Sequence, residues 1–525
     1  MKKSLAAVLV AFAFLSCSPG SEAVRIWNLT CDGRPDAEGV SIDRPVFGWE
    51  LEAEARGVSQ RACRILVATS PGLLAPGQAD VWDSGRLATT DSQFVAYRGK
   101  TLASGRAYFW KVGVWGNKGR IPAWSDAARF TTGLAGPEDW SGARWIGFEE
   151  LPETMKIVPG VHGNGDELGE KGLKRAVVPA FRRSFDIGNE TVERALVFVC
   201  GLGQYELRLN GRRVGDAFLS PGWTDYRKTS LYNTYDVTEL LAPGTNAIGA
   251  VVGPGFFNVN RERYRKLVIA YGLPMLIAKL EIRYASGRRE TVVSGPGWRT
   301  APSPITFSSI YGGEDYDARL EQPGWDRAGF DDSSWKNALV VGGPGGRLES
   351  ERDGPLKVMA EIPAKSVASP RPGIFVYDFG QNASGIIALK VQGRRGRTVT
   401  ISPGELLDDG GLVDQSMSGS PYRLIYTLKG EGEETWSPRF TYYGFRYAQV
   451  EGAVPAGTDG PGDAPRILAL TMLHTRNSAP SAGSFSCSKD LFNRTFTLID
   501  WAIRSNLASV PTDCPHREKL GWLEQ

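Results

Sequence analysis

The segment from Pro511 to Trp522, Pro-Thr-Asp-Cys-Pro-His-Arg-Glu-Lys-Leu-Gly-Trp, concentrates more chemistry than any other part of the chain. Asp513 and Glu518 flank Pro515, and the two prolines at 511 and 515 keep the segment from being helical, so a pair of carboxyl groups is fixed on one loop. Glycoside hydrolysis uses such a pair: one carboxyl protonates the leaving oxygen, and the other activates water or attacks the sugar. An acid that still holds its proton near neutral pH needs apolar cover or a neighbouring negative charge. Trp522 offers the first and Asp513 the second. Arg517 would oppose that effect by pairing with Glu518, and is therefore expected to bind sugar hydroxyls or to hold Asp513. His516 reads as a sugar-pocket or loop-packing residue, and Cys514 as packing rather than as a nucleophile.

These residues must be carried by something. Just upstream, Phe492, Phe496, Ile499 and Ile503 recur at helical spacing, with Ser488 as the expected N-cap and Asp490 at the positive end of the helix dipole. Everything before that helix reads as strands. Tyr108, Trp110, Val112 and Val114 share one face of a run, in a region of residues 24–135 that suits a fibronectin-III-like sandwich. Tyr205, Leu207 and Leu209 alternate with Glu206 and Arg208 before Asn210-Gly211, the favoured two-residue hairpin turn. This second β block spans residues 139–345 and is expected to be a sandwich, with carbohydrate binding as one role for it. A third occupies residues 365–478, with Val399-Thr-Ile401 and Phe445-Arg-Tyr447 as strands, and a helical domain opens within residues 485–525. The fold class is thus mainly β, several sandwiches followed by the first helices of an α-helical domain.

Length and composition agree with several domains, since 525 residues exceed one ordinary core. Apolar residues at 42% and charged residues at 23% match soluble globular chains and disfavour disorder. A net charge of +3 without dense basic runs excludes nucleic acid as an expected partner. The N-terminus carries Lys2 and Lys3, an apolar run from Leu5 to Leu15, and then Ser16-Cys17. That run is too short to span a bilayer and predicts a secretion signal over residues 1–17, with Cys17 as a lipidated first residue and the membrane as a partner through that anchor. The expected location is periplasmic or outer-membrane. Cys31, Cys63, Cys200, Cys487 and Cys514 form no dense disulfide framework, and three His in all make a His-rich metal centre improbable. No cofactor or metal is expected; a calcium or sugar site among Glu314, Asp315 and Asp317 is the alternative to a plain solvated turn.

The order of these pieces resembles the bacterial α-L-rhamnosidases of glycoside hydrolase family 78. The strings that carry the resemblance are Tyr311 to Arg319, Asp378-Phe-Gly-Gln-Asn-Ala-Ser-Gly385 with Gly404-Glu-Leu-Leu407, and Pro511 to Trp522. It implies that the terminal helical domain is the start of an (α/α)6 barrel, that Glu518 is the general acid, and that Asp513 hydrogen-bonds rhamnose hydroxyls. It implies an inverting exo-glycosidase acting on terminal α-L-rhamnose of plant polysaccharides or glycosides, whose base lies beyond Gln525, so that the chain as given is expected to be inactive. The competing readings are a non-catalytic surface glycan-binding lipoprotein and a glycosidase for another deoxy sugar.

Overall fold

The computed structural model describes residues 24–117, 122–163, 165–264, 266–418, 421–460 and 462–521. The expected secretion signal with Cys17, and Trp522, lie outside the described residues. The chain forms two compact units, residues 1–132 and 133–525.

In the first unit, a sheet of Arg25–Cys31, Val46–Glu52 and Val95–Ala96 accompanies a five-stranded sheet built on Gln60–Ala68 and Ala107–Gly116. The period-two pattern holds: Tyr108, Trp110, Val112 and Val114 are all buried, and Trp110 packs on Phe47 at a ring-centroid distance of 4.4 Å. Both sheets contribute to one core, which makes the unit a β-sandwich.

The second unit opens with another sandwich. A six-stranded sheet centred on Pro179–Ile187, Gln204–Leu209 and Gly244–Gly253 faces a seven-stranded one centred on Val192–Leu202 and Met275–Tyr284, with Phe181, Leu207, Val199 and Leu280 between them. The hairpin expected at Asn210-Gly211 is present, with φ of 50° and 80°, both in the left-handed region that an Asn-Gly turn supplies most readily. Tyr205, Leu207 and Leu209 point into this core, which leaves Glu206 and Arg208 on the opposite face.

An eleven-stranded sheet follows, and its membership departs from the sequence boundaries. Ile305–Ser309 and Gly313–Asp317, expected within the 139–345 block, pair instead into this third sheet. The reason is the parallel pairing of Gly313–Asp317 with Arg423–Thr427, a long-range contact that no local pattern announces. It needs glycine at 313: φ is +93°, and a Cβ there would stand 1.9 Å from the Arg423 carbonyl oxygen. At the centre runs the 19-residue strand Ile374–Gln392. Its pairing with Tyr443–Glu451 breaks between Asp378 and Ala383, so the Asp-Phe-Gly-Gln-Asn string bulges out of the ladder and shifts its register.

The α-helices among the described residues are Glu170–Leu173 and Asp490–Asn506, so one helix stands for the barrel whose opening the sequence suggests. The helix is capped at Lys489, not at Ser488, and makes no side-chain cap bond; Asn493 instead exchanges two 2.8 Å hydrogen bonds with the backbone of Cys487. Phe492, Phe496, Ile499 and Ile503 are exposed, while Trp501 packs on His474 at 5.3 Å and the Ser505 hydroxyl accepts the Ser384 amide proton. The face read as core-forming is therefore the one without cover among the described residues.

Candidate active site

The helix ends at Asn506, and the chain turns at once into the carboxylate loop. Leu507 bridges to Pro511, and the Thr512 amide donates to the Asn506 carbonyl. The loop then closes on itself: Asp513 N donates to the Leu520 carbonyl at 2.9 Å, and the Asp513 Oδ1 accepts from the amides of Cys514 at 2.7 Å and Leu520 at 3.1 Å. Asp513 is thus oriented by the backbone of its own loop. No helix forms between the prolines, as their ring geometry requires.

Three buried donors tie this loop down. The Tyr264 hydroxyl donates to the Arg517 carbonyl, and the Tyr311 hydroxyl to the Glu518 carbonyl. Lys519 is 1% exposed, and its Nζ donates to the carbonyls of Ile310 and Tyr442 within a cage formed by Tyr311, Tyr422, Tyr442 and Tyr443. Burial drives its pKa far below that of an ordinary lysine. On the other side the Pro515 ring rests on Gly444, where a Cβ would come within 2.4 Å of Pro515 Cγ. Glu518 therefore occupies a backbone position fixed on both flanks.

Its side chain is 28% exposed and paired: Arg517 Nε donates to Glu518 Oε1 at 3.0 Å, and Nη2 to Oε2 at 3.3 Å. This is the pairing that the sequence argument set aside for Arg517. Adjacent residues on a non-helical loop place their side chains within reach, and a guanidinium fork matches a carboxylate. Ligand atoms of Asp513, Cys514 and Glu518 lie within 4.8 Å of one another, a spacing that could hold a metal ion. Each already has a partner, however. Asp513 and Glu518 are bonded as described, and Cys514 Sγ accepts the Glu518 amide proton.

His516 joins the separate motif strings. Its Nε2 lies 2.8 Å from Glu405 Oε2, while Glu405 Oε1 accepts from Asn382 Nδ2 at 2.8 Å. The bulge, the Gly404-Glu405 string and the carboxylate loop thus meet at one carboxylate. Burial alone would lower the imidazole pKa, but its contacts with Cys514 and Glu405 outweigh that and push it up to about 9. Its Nδ1 lies 2.7 Å from the Arg517 amide, a bond that the neutral ring protonated at Nε2 accepts and that the imidazolium gives up while keeping Glu405. Cys514 is half-buried, and its thiol pKa is lowered because the His516 contact and the amides of Glu518 and Lys519 outweigh burial. Asp378 anchors the bulge: it accepts two 2.8 Å bonds from Arg446, which hold its carboxyl below the usual range, and a third from the Gly380 amide.

Glu314, Asp315 and Asp317 do not converge. Glu314 is fully buried and accepts the amides of Arg439 and Phe440; Asp315 pairs with Arg263, and Asp317 with Arg319. Each has its own protein partner, and only Asp315 Oδ1 is left buried without one. Sequence reasoning named Asp513, His516, Arg517 and Glu518, which the structure brings together, but passed over Lys519, Glu405, Tyr264 and Tyr442. Lys519 and Glu405 stood inside the quoted strings, whereas nothing local distinguishes Tyr264 or Tyr442.

Four stretches of the chain match models of known protein families. Residues 26–136 match a model described as a Rha78A-like N-terminal immunoglobulin domain, so the first sandwich is of the immunoglobulin-like kind. Residues 190–360 match an alpha-L-rhamnosidase N-terminal domain, 368–468 a bacterial alpha-L-rhamnosidase concanavalin-like domain, and 480–525 a six-hairpin glycosidase domain. An alpha-L-rhamnosidase of Formosa agariphila is 34% identical over 494 residues, 92% of this chain and 51% of that protein. Among solved structures, an alpha-L-rhamnosidase from Dictyoglumus thermophilum superposes with a TM-score of 0.83 at 36% identity, covering 95% of this chain and 54% of that one. The Streptomyces avermitilis enzyme, solved with L-rhamnose, gives 0.82 at 28% identity, with 95% and 62% covered. The chain spans about half the length of the curated relatives it matches.

Proposed function

The chain belongs to the bacterial α-L-rhamnosidase family, and from that footing we propose that it supplies the β domains and the general-acid loop of an exo-acting α-L-rhamnosidase. The observation that carries the proposal is the seating of Glu518: a carboxyl next to an oriented Asp513, on a backbone held by Tyr264, Tyr311 and Lys519. A general acid must be placed within hydrogen-bond reach of the leaving oxygen, and a loop tied at successive carbonyls does that at little entropic cost during the reaction.

In the proposed reaction Glu518 transfers its proton to the glycosidic oxygen as the bond to the rhamnose C1 breaks. A water molecule, deprotonated by a carboxylate on the opposite face, bonds to C1, and configuration inverts. Asp513 is not that base. Its carboxyl lies within 4.8 Å of Glu518, whereas an inverting pair stands roughly 6.5–9.5 Å apart to admit water. Asp513 instead receives rhamnose hydroxyls. Arg517 must release Glu518 before the proton is taken up, and in that released state the guanidinium is free to meet a sugar hydroxyl.

The substrates are rhamnose-terminated plant polysaccharides or glycosides, and the reaction as written needs no cofactor. Secretion with a lipid at Cys17 would hold the enzyme at the membrane facing such glycans. The complete product of the gene, incubated with 4-nitrophenyl α-L-rhamnoside, should release β-L-rhamnose as the first anomer seen by proton NMR. Release of the α anomer first would replace single by double displacement, and preference for a different glycoside would remove the substrate assignment.

A further inference from the structure

A second cleft lies in the larger unit, with no residue of the carboxylate loop in its walls, between the outer face of the Gln204–Leu209 strand and the third sheet. Two cavities of about 370 and 380 Å³ share Tyr316, Glu321 and Arg439 in their walls. Volumes of this size fall at the lower end of small-ligand sites. Among the described residues the Arg439 guanidinium makes no hydrogen bond or ion pair; its main-chain amide serves Glu314, and its side chain only approaches the Tyr316 ring, at 6.0 Å. Its five N–H donors are thus free of protein acceptors at the junction of two cavities, where a ligand with acceptor oxygens can meet them.

The surroundings say what kind of group that is. Glu206, on the polar side of the hairpin strand, accepts from Arg208 at 3.0 Å, and Glu321 accepts from Lys429 at 2.8 Å and from the Tyr316 hydroxyl at 3.0 Å. Cationic and anionic side chains lining the two cavities are equal in number, so a phosphate or carboxylate gains no net attraction. A hydroxyl group fits better, because it accepts from Arg439 and donates to a Glu206 or Glu321 lone pair. One cavity also ends on the half-buried Trp325, stacked at 6.1 Å on the buried Trp335, an apolar indole surface of the kind that meets the C–H face of a pyranose.

We propose that this cleft is a carbohydrate-binding site for a neutral pyranose, with Arg439 as its hydroxyl donor and Trp325 as its stacking wall. It holds glycan at a point separate from Glu518 and does not depend on the catalytic reading. The test is saturation-transfer NMR with calorimetry on the full 525-residue chain, using L-rhamnose and D-galactose as probes and inorganic phosphate as competitor. The Asp513→Asn chain is run in parallel to remove binding at the carboxylate loop. Saturable binding of a pyranose should persist in Asp513→Asn, should weaken at least tenfold in Arg439→Met and in Trp325→Ala, and should resist phosphate. Where Arg439→Met fails to fold by circular dichroism, Trp325→Ala, at a half-buried wall position, decides. Absence of saturable pyranose binding, its loss in Asp513→Asn, indifference to the Trp325 and Arg439 changes, or displacement by phosphate would each overturn the proposal.

Discussion

The Tyr311 hydroxyl donates a 2.5 Å hydrogen bond to the main-chain carbonyl of Glu518, across 207 residues of sequence. Tyr311 sits beside the strand that crosses into the third sheet, so the Glu518 backbone is tied to that sheet as well as to the helix preceding it. Tyr311→Phe keeps the ring, including its stack with Tyr264 at 4.2 Å, and removes only this bond. One hydrogen bond is worth about 0.5–1.5 kcal/mol, so kcat of the complete enzyme should fall by roughly threefold to tenfold with KM little changed. Steady-state kinetics check it; an unchanged kcat would mean that Tyr264 and Lys519 suffice.

Glu314 gives a pH signature. Burial pushes its pKa up to about 7 against the lowering effect of the Phe440 and Arg439 amides. A carboxyl with a raised folded pKa binds more protons folded than unfolded, so its contribution is fully present below the unfolded value near 4.5 and is lost as pH rises through about 7. Urea unfolding of Glu314→Gln should lack that decline. The stability difference between wild type and variant should change by on the order of 3 kcal/mol between pH 4.5 and pH 7.5. Parallel pH profiles would contradict the assignment.

These two residues show where the sequence was legible. Local alternation placed Tyr108 to Val114 and Tyr205 to Leu209 on their correct faces, and Asn210-Gly211 announced its turn, because each is decided by neighbours in the chain. The Tyr311 to Arg319 string was visible as a marker but not as a strand of the third sheet, since its partner lies more than a hundred residues away. That Asp513 and Glu518 share one non-helical loop was legible from residue type and from Pro511 and Pro515. The Arg517 pairing was misjudged because a functional requirement was placed ahead of simple proximity. The tyrosine ties and the Lys519 cage carry no spacing signal at all.

Along the terminal helix Leu491 and Leu498 are 71% and 72% exposed, and Phe492, Ile499 and Ile503 are also open. Contacts by Trp501 and Ser505 hold its last turns, leaving the first turns without cover. Limited proteolysis of the 525-residue chain should cut between residues 484 and 500 before it cuts either β body. Protection of the helix would refute this.

Cys17 is expected to be the first residue of the mature protein and to carry lipid, since a basic start and a short apolar run end there. Intact-mass measurement of the membrane-extracted protein should show acylation at that residue. A mature N-terminus well past it, without lipid, would leave a plainly secreted enzyme.

The central claim is that Glu518 is the proton donor and Asp513 a sugar-binding group. Glu518→Gln preserves shape and removes the proton, and general acid catalysis is worth about 10²- to 10⁴-fold. The most direct measurement compares kcat/KM of wild type and Glu518→Gln, in the complete enzyme, on an alkyl rhamnoside and on an aryl rhamnoside with an activated leaving group. The account predicts a loss of that order on the alkyl substrate and a much smaller one on the aryl substrate, whose departing oxygen needs little protonation. Equal losses on both substrates would contradict it and would make Glu518 a structural member of the loop.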